Sequence, residues 1–218
     1  MTKSSMWIGM VILSAVAIAV IWRADVNGWG SIAWLAGSIA MFFIRMPFAQ
    51  STTDNTISKS RKDVLESALL AGMTISMMLL PVVFLLSGYL SFANYALPDW
   101  MTALGAIALL PALYVVWRSH TDLGRNWSVT LEVREDHTLT DTGIYRHIRH
   151  PMYAGIWLLV LAQPLLLHNW IAGPTAILCF GLLYFLRAPR EEAMMRGEFG
   201  AEYDEYMKRT KRLIPGVL

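Results

Sequence analysis

The sequence predicts an all-α, polytopic integral membrane protein of five to six transmembrane helices, ending in a C-terminal helical hairpin and an amphipathic tail helix. Three observations carry that prediction. Of 218 residues, 56% are hydrophobic and only 16% are charged, against about 25% charged in soluble domains. The apolar residues gather into long runs free of Asp, Glu, Lys and Arg. Finally, Lys and Arg are shared very unevenly among the connections between those runs.

A span needs roughly 20 mostly apolar residues to cross about 30 Å of hydrocarbon. Runs near that size occupy Met6–Trp22, Gly28–Ile44, Ser67–Leu97 and Trp100–Trp117. Met6–Trp22 follows Lys3, as a secretory signal would, but Trp22-Arg23-Ala24-Asp25 is a poor small-residue cleavage site. With further spans behind it, the run reads as a retained helix. Pro151–Leu186 is 36 residues long, too long for one helix and suited to two. His168-Asn169-Trp170 near its middle, followed by Gly173-Pro174, places a turn there. Its arms, about 15 residues each, rise only about 23 Å, which is short for a full crossing. Backbone groups in lipid must be satisfied internally, and barrel-like period-2 alternation is missing, so the spans are helices.

The basic residues orient the chain. Lys plus Arg number one in 1–5, one in 23–27, four in 45–66, none in 91–99, five in 118–150, none in the hairpin turn and seven from 187 onward. This alternation fits six crossings with both termini cytoplasmic. Trp22, Trp29, Trp100, Trp117 and Trp170 fall at predicted span ends, where an aromatic belt belongs. The chain thus divides into N-terminal transmembrane helices, 1–117, and a region from 118 to 218 that holds most of the polar residues. A net charge of +2, with no basic patch interleaved with aromatics, argues against a nucleic-acid partner. The single Cys179 has no partner for an intrachain disulfide and reads as a small buried hydrophobe.

Two cytoplasmic segments can carry chemistry. The first, 118–155, is dense in His, Arg and Tyr and enters a helix through Pro151, a residue tolerated in a first turn. That helix N-terminus offers free amides and a positive dipole end to an anion. In the second, Arg187 and Glu191 stand four apart and share a face if the helix continues, although Pro189 is expected to bend the exit. Phe199, Tyr203, Tyr206 and Met207 form the apolar side of the tail helix. Plainer readings stand beside these. Arg187 and Arg190 read as positive-inside flanks, and Glu191 as a partner of Arg187 alone. Met73–Met78 reads as packing or lipid-facing surface, and His120 and His168 as interfacial. His137, His147 and His150 lack metal-ligand spacing, so no metal is expected.

One ordered set of residues remains. His137-Thr138-Leu139, Gly143-Ile144-Tyr145, Arg149-His150-Pro151-Met152-Tyr153-Ala154-Gly155, Arg187, Glu191-Glu192, Tyr203-Asp204-Glu205-Tyr206 and Pro215 follow one another, with 37 residues from His150 to Arg187. Over residues 118–215 this pattern resembles the isoprenylcysteine carboxyl methyltransferase family, in the wider group that includes phospholipid N-methyltransferases. The resemblance implies a membrane-embedded methyltransferase using S-adenosylmethionine at the cytoplasmic face. Its acceptor would be lipophilic, with the carboxylate of an isoprenylcysteine-like compound as the first expectation, and its partners a small or prenylated substrate and membrane lipids. The resemblance assigns the cofactor to His137, Thr138, Leu139, Thr140, Tyr145, His150, Pro151, Met152, Tyr153 and Glu191. It makes Arg187 and Glu191 the catalytic residues, with Arg187 contacting substrate.

A sulfonium methyl is already activated, so a carboxylate acceptor needs alignment and desolvation rather than a base. An amine or thiol acceptor needs a base, for which His150 and Glu192 are the candidates. Thr140 and Arg190 depart from the family's usual residues, and both departures bear on the acceptor. Two alternatives follow: a lipid amine or thiol methyltransferase of the same group, and a non-catalytic membrane protein. The uncharged interiors of the first two spans disfavour a transporter.

Overall fold

A computed structural model describes residues 14–51, 57–60, 64–124, 132–134 and 138–217. Helix α1 (residues 14–22) passes through a helical turn at Ala24–Asn27 into α2 (Trp29–Ser51). Then come α3 (Val64–Ser87), α4 (Asp99–Leu123), α5 (Pro151–Leu167), α6 (Thr175–Phe199) and α7 (Ala201–Arg209). The stretch Trp29–Phe48 of α2, together with α3 and α4, is long and apolar enough to cross a membrane. The hairpin expected over Pro151–Leu186 is present as α5 and the first half of α6, and α5 is indeed a shorter apolar helix. Leu104, Ile107, Leu110, Leu178 and Phe185 project outward from the helices, as lipid-facing side chains do.

Small residues let the central helices approach closely. A Cβ on Gly105 would lie 2.8 Å from the Leu165 Cβ, and one on Gly155 would lie 2.6 Å from Cγ2 of Val116. Such contacts draw α4 and α5 together without a hydrophobic driving force between them. The hairpin turn is tied to protein through the fully buried Asn169. Its Oδ1 accepts the Ile171 and Ala172 amides, while its Nδ2 donates to the Leu90 carbonyl and to Oδ1 of Asn94. His168 takes a left-handed backbone at φ 37° to make the corner.

Two features escape the sequence reading. Within α3, Ile75–Leu79 forms a π-helical turn. At this irregularity the Ser76 carbonyl accepts a 3.0 Å hydrogen bond from Nε2 of buried Gln163, which also donates to the Ala172 carbonyl at 2.7 Å. A widened turn next to a buried amide is the kind of local adjustment that π-bulges provide. The second is a small antiparallel ribbon, β1 (Ile57–Ser60) with β2 (Glu132–Arg134). It joins the two long basic connections on one side of the helices, an exception to the all-α expectation confined to loops. Pro189 does not interrupt α6, which stays helical to Phe199.

Candidate active site

The site is assembled from helix ends. At the C-terminus of α4, Asp122 pairs with Arg118 at 2.7 Å and accepts the Ile144 amide at 2.8 Å. Gly143 turns there with φ +59°, and a Cβ on it would collide with the Asp122 carboxylate. The 3-10 turn Gly143–Arg146 then presents Tyr145 inward. Its hydroxyl donates to the Ser119 carbonyl at 3.3 Å, and its own carbonyl accepts the Tyr206 hydroxyl at 2.7 Å. Burial, then the nearby Glu191 charge, pushes the Tyr145 phenol well above its ordinary pKa, so it remains a donor.

His150 caps α5 and Pro151 occupies its first turn. The amides of Met152 and Tyr153 therefore sit where a helix has no intrahelical acceptor. The Tyr153 hydroxyl donates to Oε2 of Glu191 at 2.7 Å, and the His150 ring stacks on Tyr153 with centroids 5.3 Å apart. Nε2 of His150 lies 3.2 Å from Oε1 of Glu192. An ionised carboxylate only accepts, so Nε2 carries the proton and Nδ1 is left unprotonated in the neutral ring. Nδ1 lies 4.0 Å from Oε1 of Glu191.

Glu192 is the hub beneath this surface. Its side chain is 5% exposed and receives Nε of Arg149 at 3.1 Å, Nε of Arg212 at 3.0 Å and Nη2 of Arg212 at 2.5 Å. Burial by itself would raise its pKa. The His150 hydrogen bond and the two arginines overcome that and hold the carboxyl well below the usual range. A carboxylate so held is a poor base, and Glu192 does not line the cavity, which corrects its candidacy as one. Arg149 also donates to the Met207 carbonyl at 3.3 Å and to that of Thr210. The Arg149 and His150 amides meet the Lys211 and Arg212 carbonyls at 2.7 and 2.9 Å. Together these contacts fold the tail over the site and bury Tyr203 and Tyr206.

Between these elements lies a cavity of about 160 Å3. Among the expected site residues, Leu139, Thr140, Tyr145, His150, Pro151, Met152, Tyr153, Arg187 and Glu191 line it. Thr138 is exposed and is not part of the lining, and His137 lies outside the described residues. The rest of the wall had been given no site role: Arg45, Arg149, Tyr203 and Tyr206 on the polar side, and Leu70, Met73, Leu123, Ile156, Phe180, Leu183 and Met195 on the apolar side. Met73 thus belongs to the cavity rather than to lipid-facing or packing surface alone. His120, read as interfacial, is in the last turn of α4 and fully buried, with its ring against Phe48. The reading of Glu191 as a partner of Arg187 alone is corrected as well. Glu191 takes the Tyr153 phenol, and Nη1 of Arg187 faces Oε1 of Glu66 on α3 at 3.6 Å. Among the described residues, no group of three or more His, Cys, Asp or Glu side chains is placed to hold a metal ion.

The fold has a counterpart among solved structures. The chain aligns with the structure of the eukaryotic intramembrane Ras methyltransferase ICMT at a TM-score of 0.63 and 17% identity, over 94% of this chain and 74% of that one. The class of protein is therefore a multi-pass α-helical membrane protein with that fold. Residues 103–197 match the isoprenylcysteine carboxyl methyltransferase (ICMT) family model, so the resemblance read from the sequence is borne out. Protein-S-isoprenylcysteine O-methyltransferase of Schizosaccharomyces pombe is 30% identical over 116 residues, 52% of this chain and 48% of that protein. The Dictyostelium discoideum protein of that name is 31% identical over 119 residues, again 52% and 48%. The Homo sapiens one is 29% identical over 154 residues, 62% of this chain and 54% of that protein. The matched part of the chain spans about half the length of these curated relatives.

Proposed function

We propose that the chain is an S-adenosylmethionine-dependent methyltransferase working at the cytoplasmic face of a membrane. Its acceptor is lipophilic, and the carboxylate of an isoprenylcysteine-like compound suits the site best. The observation that carries this reading is the single cavity in which Arg187, Glu191, His150, Tyr153 and the start of α5 meet a wall of apolar side chains. The names of the relatives support it, and so do the basic connections gathered at this end, which the positive-inside rule assigns to the cytoplasm.

The residues present fit the cofactor. The Met152 and Tyr153 amides at the positive end of α5 suit its carboxylate. Glu191, about one-third exposed, suits its ammonium or ribose hydroxyls. Tyr145 and Tyr153 offer aromatic surface to adenine or to the sulfonium charge. Thr138, being exposed, contributes least of the proposed binding residues. When bound, S-adenosylmethionine supplies a methyl group already activated on sulfur. The chain then has three tasks. Arg187 holds the acceptor carboxylate as a planar fork that fixes one oxygen. Leu70, Met73, Ile156, Phe180 and Leu183 take the adjoining apolar part and exclude water. Glu191 stays oriented by the Tyr153 phenol. No base is called on. Since Glu192 is locked between arginines, an amine or thiol acceptor would depend on Nδ1 of His150 alone, which favours the carboxylate.

Calorimetric titration of the purified protein with S-adenosylmethionine or its demethylated product tests the cofactor assignment. A methyl-transfer screen across S-prenylcysteine, phosphatidylethanolamine and alkyl thiols tests the acceptor. We expect Glu191→Gln to weaken cofactor binding, and Arg187→Ala to spare it while abolishing carboxylate methylation. A well-folded sample that gives no heat overturns the enzyme reading. Weakened cofactor binding in Arg187→Ala overturns the division of roles.

A further inference from the structure

A second cavity, of about 310 Å3, opens at the other end of the helices. It lies one length of α5, 17 residues or about 25 Å, from the candidate active site. Its wall comes from the turn between α1 and α2, the end of α3, the connection into α4 and the hairpin corner. The connections at this end, 23–27, 91–99 and 168–174, hold one Lys or Arg between them, Arg23. Among the described residues of the wall, Arg23 is also the sole Asp, Glu, Lys or Arg. The last carbonyls of a helix have no intrahelical donor. Near the end of α3 the Leu85 carbonyl instead accepts Nε of Arg23 and Nδ2 of Asn27, both at 3.0 Å. This anchors the guanidinium by one edge. A Cβ on Gly88 would stand 3.5 Å from Nη2, so that glycine leaves the terminal nitrogens room. Among the described residues the guanidinium has no carboxylate partner.

The neutral donors of the wall are spent inside the protein. The Tyr95 hydroxyl donates to the Pro164 carbonyl and the Ser91 hydroxyl to that of Gly88, each at 2.5 Å, while Nε2 of His168 lies 3.0 Å from the Leu165 carbonyl. Recognition therefore falls to one planar, permanently charged fork beside Val26, Phe84 and Leu167. A singly charged phosphodiester joined to an apolar body matches that pairing; a free phosphate ion or a nucleotide calls for several free donors. The depth agrees. Trp22, Tyr89, Phe92, Trp100 and Trp170 are exposed at this same end, as aromatic side chains are at the level of lipid headgroups. We propose that this cavity binds a membrane phospholipid, with Arg23 holding its phosphodiester and Val26, Phe84 and Leu167 meeting the glycerol and the first acyl carbons. The bound lipid ties α1, the end of α3 and the hairpin corner together at the face opposite the candidate active site. This inference stands apart from the methyltransferase reading and does not depend on it.

The test uses the full-length protein in a neutral detergent, with native mass spectrometry reading the lipid it retains. The probes are dioleoylphosphatidylglycerol, dioleoylglycerol, which lacks the phosphate, and inorganic phosphate as competitor. We expect the wild-type protein to retain the phospholipid in preference to dioleoylglycerol. Arg23→Gln should lower that retention by roughly tenfold, the scale of a lost hydrogen bond to a charged group. Because Arg23 also caps α3, a second variant keeps the test decisive if Arg23→Gln fails to fold. Val26→Asp, at a position 71% exposed, leaves the Leu85 contact in place and sets a repelling carboxylate in the wall. It should lower retention of the phospholipid and leave that of dioleoylglycerol unchanged. Equal retention of the two lipids by the wild-type protein overturns the inference. Undiminished phospholipid in Val26→Asp overturns it too, since Arg23 is then only a cap on α3. Displacement of the lipid by inorganic phosphate overturns the lipid assignment and makes the cavity a free-anion site.

Discussion

Replacing Glu192 with alanine removes the one acceptor on which Arg149, His150 and Arg212 converge. The cost can be worked from burial. Arg149 has a side chain only 9% exposed, so it becomes an uncompensated buried charge, and breaking such a pair costs about 3–5 kcal/mol. Arg212 is 39% exposed, and solvent takes over much of its lost contact. The His150 bond adds about 1–2 kcal/mol. We therefore expect Glu192→Ala to lower unfolding stability by about 4–7 kcal/mol, most of it from Arg149. Because the tail is stapled through Arg149, it should also become sensitive to protease after residue 200. Denaturant unfolding in detergent and limited proteolysis measure both effects. The pH dependence has a definite sign. The folded Glu192 pKa is depressed, so its stabilisation is complete above the unfolded value near 4.5 and fades as pH falls through the folded one. The gap between wild type and variant should thus be flat at neutral pH and narrow in strong acid. A loss below about 1 kcal/mol, the size of a surface pair, or a gap that widens in acid, refutes this account of the hub.

Three smaller predictions concern the frame around the cavity. Tyr206→Phe deletes the hydroxyl that caps the Tyr145 carbonyl, so stability should drop by about 1 kcal/mol and cofactor affinity should weaken with it; unchanged affinity in titration would separate the tail from the site. Gly143→Ala forces a Cβ into a left-handed residue and onto the Asp122 carboxylate. It should cost about 2 kcal/mol or more, visible as a lower melting temperature and a loss of affinity. Gln163→Leu keeps the volume but strands the Ser76 and Ala172 carbonyls; a loss of about 1–3 kcal/mol is expected, and a neutral result would mean that the π turn is satisfied without it.

The residues legible in the sequence were those whose position follows from local rules. Run length and charge placed the spans, Pro151 marked the start of α5, and His168 to Pro174 marked the corner of the hairpin. Nine of the residues that the resemblance assigned to the site line the cavity. What stayed hidden depends on partners distant in the chain. Arg149 and Glu192 are 43 residues apart, and nothing local announces that the second is buried while Glu191, next to it, faces the cavity. Met73 looked like any methionine of an apolar run, and it lines the cavity only because α3 packs against α6. Glu66 closed a basic connection and read as loop, yet it is among the most buried charges of the described residues. The ribbon of β1 and β2 is polar and short, with no alternating apolar pattern to reveal it.

The burial of Glu66 also governs how a defect at Arg187 must be read. Arg187→Ala removes the proposed acceptor clamp, but it also leaves the Glu66 carboxylate, 3% exposed, without the guanidinium 3.6 Å away. That second effect belongs to folding and amounts to about 3–5 kcal/mol by analogy with other broken buried pairs. A loss of activity in the single variant therefore mixes fewer folded molecules with a weaker clamp. Arg187→Gln combined with Glu66→Gln removes both charges at once. It should recover stability to within about 1 kcal/mol of wild type, since neutral replacement of a buried pair costs little. It should not recover carboxylate methylation, because no fork remains to hold the acceptor. If Arg187→Ala alone unfolds at the wild-type denaturant midpoint, the two side chains are not energetically coupled. If the double variant turns over a carboxylate acceptor, Arg187 is a structural partner of Glu66 and the clamp lies elsewhere in the cavity.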